Sequence, residues 1–249
     1  AKVIPGKQEF AESVAYYAER LRRAGVKVLL GSTLEAAQAA AFDEVVLATG
    51  IDPRRPDIPG IDHPKVLGYA DVLAGRAAVG REVAIIGMGG IGFDVALFLL
   101  ERGSRAPLEP QAFAAHWGFS PEGALSTPPP PTSAHRITMM KRSTTPFGHT
   151  LGKTTGWVHR AELARHGVRM LKGVAYRRID EAGVHITIDG KDALVAADTV
   201  IVCAGQLPRR PVWSAAARQR VSVIGGAREA GELDAERAML EGARLAAAL

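Results

Sequence analysis

The apolar positions of this chain follow two different periods in turn. Residues 83–86 (VAII) form an unbroken apolar run, the pattern of a strand buried on both faces. Over residues 91–101 the spacing becomes helical, with Phe93, Ala96, Leu97 and Leu100 on one face. A second apolar run at 136–140 (RITMM) predicts the next strand. Residues 176–179, 184–188 and 193–196 predict three short antiparallel strands, because Glu181-Ala182-Gly183 and Asp189-Gly190 between them are turn sequences. A last strand is predicted at 221–226 and a closing helix at 231–249. Residues 103–136 carry neither period. They hold Trp117 and a proline run at 128–131 suited to polyproline II, and an irregular stretch of this length is expected to be functional or mobile.

The pattern also repeats. Residues 44–56 read EVVLATGIDPRRP and residues 199–211 read TVIVCAGQLPRRP: an apolar β run, a small-small-Gly turn, then PRRP. Each is preceded by a similar string, LRRAGVKVLLG at 21–31 and LARHGVRMLKG at 163–173, which reads as a helix end, a Gly at C′ and a strand. Two such pairs in the same order indicate two copies of one βαβ-type unit. Its turns, at Thr49-Gly50 and at Gly205, are places where the backbone leaves a buried strand beside a ligand or a neighbouring loop. The complete second copy lies between the two turns. We therefore expect an α/β protein of two Rossmann-like dinucleotide-binding domains, with residues 76–205 inserted into an outer domain of residues 1–75 and 206–249.

Between the strand at 83–86 and its helix stands Gly87-Met88-Gly89-Gly90-Ile91-Gly92, a G-x-G-x-x-G sequence. In that context Gly87 permits a tight turn, Gly89 lets a pyrophosphate approach the backbone with Gly90 beside it, and Gly92 lets helix and strand pack closely. A purely structural glycine turn is the alternative. No comparable loop precedes Leu21, so the outer domain is expected to lack its own. The strand at 136–140 should end at the adenine ribose, where an NAD site places an acidic residue. Lys141-Arg142 follows it with no nearby acid, which suits the 2′-phosphate of NADPH; the other reading is a solvated basic pair. Arg142 is the stronger of the two, since its planar guanidinium grips phosphate oxygens in a fork and stacks on adenine.

Composition narrows the partners. The chain has 249 residues, 47% hydrophobic, enough for two modest cores. Its 31 Lys and Arg against 26 Asp and Glu give a net +5, dispersed in pairs such as Arg54-Arg55 and Arg209-Arg210; with only 6% aromatic residues and no basic-aromatic block, no nucleic-acid partner is expected. The most lipid-like stretch, 83–100, contains four glycines and Asp94, so no membrane association is expected. The first ten residues have no apolar signal segment, which leads us to expect a cytoplasmic protein, and no initiating methionine, which leads us to expect a coding start elsewhere. The single cysteine, Cys203, rules out an intramolecular disulphide, a thiolate zinc site or an iron-sulfur cluster held by this chain alone, and it reads as a small buried apolar residue. His63, His149, His159 and His166 show no ligand spacing, so no metal is expected. Gly152-Lys153-Thr154 is not a phosphate-binding loop, because Phe147 occupies the place of its first glycine.

The strings LGKTTGWVHR at 151–160, PGKQEF at 5–10, GIDHPKV at 60–66, GMGGIGFD at 87–94 and ELDAER at 232–237 together resemble the bacterial NADPH-dependent 2,4-dienoyl-CoA reductases, over essentially the whole chain but only the C-terminal part of that enzyme. The resemblance implies an N-terminal part with an FMN-binding TIM barrel, a cysteine-bound 4Fe-4S cluster and the first glycine loop of the FAD domain, on the same or another chain. It implies hydride passing from NADPH to FAD, electrons through the cluster to FMN, and reduction of the dienoyl-CoA at the barrel. This chain would supply the NADPH site and about half of the FAD site. Lys7 and the backbone at Leu34 are implied FAD contacts, and Trp157 is implied to lie near flavin and nicotinamide, a packed core tryptophan being the other reading. Gly225-Gly226 stands where many two-dinucleotide flavoproteins carry Gly-Asp, a departure that leaves only backbone groups to face the cofactor. No nucleophile-base-acid constellation is visible. Two alternatives stay open: another two-dinucleotide reductase of the trimethylamine dehydrogenase type, and a non-catalytic NADPH-binding module.

Overall fold

The computed structural model describes residues 1–249 except 121–122, 129, 212–219 and 232–233. Pro129 of the proline run, and Glu232 and Leu233 of the closing segment, lie outside the described residues. In chain order the elements are α1 (Phe10–Arg23), α2 (Ala36–Ala39), β1 (Glu44–Leu47), β2 (Ile51–Pro53), β3 (Val66–Gly68), α3 (Tyr69–Leu73), β4 (Glu82–Ile86), α4 (Gly90–Leu100) and α5 (Pro110–Trp117). There follow β5 (Arg136–Met140), α6 (Gly156–Arg165), β6 (Arg169–Leu171), β7 (Ala175–Asp180), β8 (Gly183–Ile188), β9 (Lys191–Ala196), β10 (Thr199–Val202), β11 (Gln206–Pro208), β12 (Arg220–Val223) and α7 (Ala235–Ala246). Contacts divide the chain into two units, Ala1–Glu19 with Arg55–Ala204, and Arg20–Arg54 with Gly205–Leu249.

The first unit is built on a five-stranded sheet in the order β3-β10-β4-β5-β6, with every pair parallel. Its central strands are apolar throughout because both faces are covered: all four residues of β10 are buried, as are Val83 to Ile86 of β4. Helix α4 goes further than the one-faced pattern of its sequence, with Phe93 and every residue from Val95 to Leu100 buried, so it sits inside the core. The predicted meander is present as antiparallel β7-β8-β9, whose Ile179, Val184, Ile186 and Val195 pack with Ile86, Met140 and Val200. Residues 55–75 were expected with the outer domain, yet β3 pairs with β10, and a Cβ on Gly60 would meet the Ile179 carbonyl oxygen at 1.9 Å. This packing sets the contact boundary at Arg55. Ile4, 1% exposed, anchors the N-terminal segment in the same core.

In the second unit β1 pairs parallel with β12, and Val45, Leu47 and Ala39 form a small core with Val221 and Val223. The segments that follow the two repeated turns meet: β2 and β11 are antiparallel, with Asp52 opposite Leu207. The predicted strand within 21–31 is not formed. Gly25 caps α1 with φ +68°, but Val26, Val28, Leu29 and Leu30 are exposed, and among the described residues no strand pairs with them, so no ladder exists to hold them. Its counterpart does form, with Gly167 at φ +67° between α6 and β6. Within 103–136, where no element was expected, α5 occurs, begun by Pro110 and ended by Gly118 in the left-handed conformation. Among the described residues no helix is long and apolar enough to cross a membrane.

Candidate dinucleotide site

The loop between β4 and α4 leaves the carboxyl end of the sheet where the strand order changes direction, with β10 and β3 on one side and β5 and β6 on the other. Two backbone bonds pin it: the Gly87 N–H donates to the Met140 carbonyl at 2.8 Å, and the Cys203 N–H donates to the Ile86 carbonyl at 2.8 Å. The glycines then separate by what surrounds them. Gly87 has φ +113°, and a Cβ there would stand 2.2 Å from the Cys203 carbonyl oxygen; one on Gly92 would stand 2.3 Å from the Gly87 carbonyl oxygen. Packing of the chain itself demands both. A Cβ on Gly89 or Gly90 would meet nothing within 4 Å. Among the described residues nothing requires these two to be glycine, whereas a phosphate group resting against their backbone would. Gly89 is also the N-cap of α4, without a side-chain cap, so the free amides of the first turn stand ready for an anion.

The two cations after β5 have different surroundings. Lys141 is buried; its Nζ donates to Thr145 Oγ1 at 2.9 Å and to the Pro146 carbonyl at 3.0 Å, and lies 5.6 Å above the Phe147 ring. Burial, reinforced by the charge of Lys172, pushes its ammonium down. Its donors are engaged within the protein. Arg142 is exposed, beside Tyr176, whose phenol burial pushes up while the Arg142 charge partly offsets the rise.

Elsewhere in this unit Lys7 is bonded to Asp94 of α4, at 2.7 and 2.8 Å to the two carboxylate oxygens. His159 is influenced by both: burial and then the Lys7 charge push its imidazole down, against the pull of Asp94. Trp157, on the first turn of α6, is 59% exposed, which removes the reading as a packed core residue. Cys203 is buried and its thiol is pushed up by burial, as a small apolar residue would be placed.

The other expected cofactor residues belong to the second unit. Thr49 Oγ1 donates to the Arg209 carbonyl, and the Gly50 carbonyl accepts from the Arg209 N–H at 3.1 Å. Gly50 and Gly205 have φ +77° and +101°, conformations that favour glycine. Leu34 is exposed. Gly225 and Gly226 form a buried 3-10 turn, and the Gly225 N–H is taken by Glu241 Oε2 of α7 at 2.6 Å. That amide is satisfied inside the unit. His166, which the sequence showed without ligand spacing, is brought together with Glu101 and Glu162 by the structure; the signal was the Glu162, His166 spacing of four.

Residues 27–226 match the family described as pyridine nucleotide-disulphide oxidoreductase. The chain belongs to that family. Its members are flavin-dependent oxidoreductases that use FAD and NAD(P)H, and the two-unit α/β architecture is theirs. Among curated relatives, a metal reductase of Desulforamulus reducens is 30% identical over 91% of this chain and 35% of its own length. An NADH oxidase of Thermoanaerobacter brockii is 35% identical over 43% of this chain and 18% of its own. Among solved structures, a 2-naphthoyl-CoA reductase superposes with a TM-score of 0.77 at 23% identity, over 97% of this chain and 32% of its own. Histamine dehydrogenase from Rhizobium sp. 4-9 gives 0.69 at 17%, over 100% and 37%. These two likenesses show the fold. The pyridine nucleotide-disulphide oxidoreductase unit described here thus spans about a third of the metal reductase and of the two solved structures.

Proposed function

We propose that this chain is the electron-input portion of an NADPH-dependent 2,4-dienoyl-CoA reductase. The observation that carries the nucleotide part is the contrast within the glycine loop, where Gly87 and Gly92 are required by packing while Gly89 and Gly90 face open space at the N-terminus of α4. On this reading those two backbones and the first-turn amides hold the pyrophosphate, and exposed Arg142 takes the 2′-phosphate. Lys141 holds the β5 end in place from inside. Bound FAD supplies the chemistry of accepting a hydride from NADPH. Exposed Trp157 covers the nicotinamide side, Lys7 positions Asp94, and Leu34, Thr49, Gly50, Gly205, Gly225 and Gly226 line the FAD side of the second unit. An FMN-bearing barrel with a 4Fe-4S cluster, on the same or another polypeptide, is the partner that delivers electrons to the acyl-CoA. The strings shared with the 2,4-dienoyl-CoA reductases are what support this choice of substrate class, and a 2-naphthoyl-CoA reductase solved in complex with 2-naphthoyl-CoA shares the fold.

The test is a titration of the purified chain with NADPH and NADH, followed by nucleotide fluorescence and, after incubation with FAD, by flavin absorbance. We expect NADPH to bind more tightly, and Arg142→Glu to weaken NADPH by about ten- to hundredfold, the worth of one charged hydrogen-bonded contact, while NADH changes little. Equal losses for the two nucleotides would overturn the 2′-phosphate assignment. Failure of NADPH to bleach added FAD would favour a nucleotide-binding module over an electron-input unit. The coding sequence on either side of this chain, read for a barrel and a cysteine cluster, tests the acyl-CoA part.

A further inference from the structure

At the end of α4 farthest from the glycine loop, four side chains from three helices converge. Glu101 follows α4, His116 is in α5, and Glu162 and His166 are in α6 or at its C-cap. One donor atom each from Glu101, Glu162 and His166 lies within 4.8 Å of the others. His166 Nε2 is 3.3 Å from Glu101 Oε1 and 3.3 Å from Glu162 Oε1, while His116 Nε2 is 3.0 Å from Glu162 Oε2 and 3.7 Å from Glu101 Oε1. Side-chain exposure is 2% for His166, 6% for Glu162, 10% for Glu101 and 17% for His116. We infer that Glu101, Glu162 and His166 form a three-ligand site for a divalent transition-metal ion of the zinc class, which joins α4 to α6, with His116 of α5 bonded to Glu162 at its edge.

Three observations carry this. Donors held about 2.0–2.2 Å from a zinc ion at tetrahedral angles stand about 3.3–3.6 Å apart, and His166 Nε2 stands 3.3 Å from both Glu101 Oε1 and Glu162 Oε1. Second, Glu162 Oε1 is buried with no hydrogen-bond partner although it points at His166 Nε2, so one lone pair aimed into the cluster is unanswered. The other side of the same carboxylate is steadied by Arg165 Nη1 at 3.4 Å, whose guanidinium lies over the Trp117 ring. Third, α5 has no buried residue, and Leu108, Phe113, Phe119 and Leu125 around it are exposed, so the segment has little core of its own. His116 ties α5 to the cluster through Glu162 at 3.0 Å, and three protein ligands leave the fourth position of a tetrahedral ion to a water or another donor. Histidine and carboxylate ligands bind a metal in their deprotonated forms, so affinity at such a site falls as pH is lowered.

The experiment uses the full chain, free of any affinity tag and stripped with chelator, titrated with zinc chloride in a thermal melt and with cobalt chloride in a visible absorption scan. We expect zinc at about a hundredfold over its Kd to raise Tm by about 5–10 °C, and cobalt to give the intense ligand-field bands of a four-coordinate site. The isosteric changes Glu101→Gln and Glu162→Gln should each abolish both signals. His149→Ala, an exposed histidine elsewhere, should retain them. Absence of the cobalt bands, or a zinc shift that persists in both cluster variants, would overturn the inference. Nucleotide binding is not involved in either readout, so the outcome is separate from that of the electron-input reading.

Discussion

Alanine at Gly92 and alanine at Gly89 should have opposite consequences. At Gly92 the new Cβ stands 2.3 Å from the Gly87 carbonyl oxygen and 3.1 Å from its carbon, about 1 Å inside ordinary contact. Gly87 has nowhere to retreat, since its side-chain direction faces the Cys203 carbonyl just after β10 and its N–H is bonded to Met140 on β5. Overpacking of this kind costs about 1–3 kcal/mol, and the usual helix gain of about 1 kcal/mol from Gly to Ala offsets only part of it. For a chain of this size each kcal/mol moves Tm by about 2–4 °C, so Gly92→Ala should melt several degrees lower. At Gly89 the added methyl enters open space, and stability should stay within about 0.5 kcal/mol. The same methyl stands where the pyrophosphate rests, and NADPH affinity should fall at least about tenfold, equivalent to about 1.4 kcal/mol. Thermal melts with and without NADPH, together with fluorescence titration, read both quantities. A Gly89→Ala variant that binds NADPH as the parent does would refute the assignment of this loop to the nucleotide.

Lys141→Met should lower stability by about 1–2 kcal/mol through the lost bonds to Thr145 and Pro146, and change NADPH affinity less than about threefold, as judged by denaturant melts and titration. Lys7→Ala removes a cation that acts on His159, so the His159 imidazole should titrate at higher pH in an NMR titration; an unchanged midpoint would show that burial alone sets it. Asp180 is held at about 2 by hydrogen bonds from His185 and Arg178. Its folded value lies below its unfolded one, so its contribution is present above about pH 4 and is lost as pH falls through about 2; His185→Ala should move the carboxyl resonance midpoint upward. Cys203 should react with a thiol reagent only after denaturation, since the thiol is both buried and shifted away from thiolate.

The β4-loop-α4 unit was legible because its apolar run, glycine spacing and helical period all specify one local structure, and β5 was legible for the same reason. The strand expected within 21–31 was not, because a strand exists only with a neighbour, and the sequence of one segment says nothing about whether that neighbour is there. Helix α5 was missed through weighing period alone; Pro110 and Gly118 mark its two ends, but eight residues with no buried face leave no periodic stripe to find. At the site, the roles of Gly87 and Gly92 could be inferred from the motif, whereas the difference between Lys141 and Arg142 depends on Thr145, Pro146 and Phe147 folding back over one of them. The cluster of Glu101, His116, Glu162 and His166 draws on three helices and their ends, and only Glu162 and the α6 C-cap His166 were close enough in sequence to be seen.

The pairing of β2 with β11 gives the repeated PRRP strings a topological meaning. Pro53 stands opposite Gln206, and the Arg54 N–H closes onto the Gly205 carbonyl at 2.9 Å. To the second unit, residues 55–204 are the loop of a β-hairpin, one that happens to contain a five-stranded sheet. A flexible loop of that length would make the hairpin costly to close, but a folded one brings its own ends to fixed positions and removes most of that entropy. Joining Arg54 to Gly205 through a short turn should therefore leave the β2-β11 ribbon intact, and the same two neighbouring positions are where a gene could accept or shed the inserted segment without disturbing the strands around it.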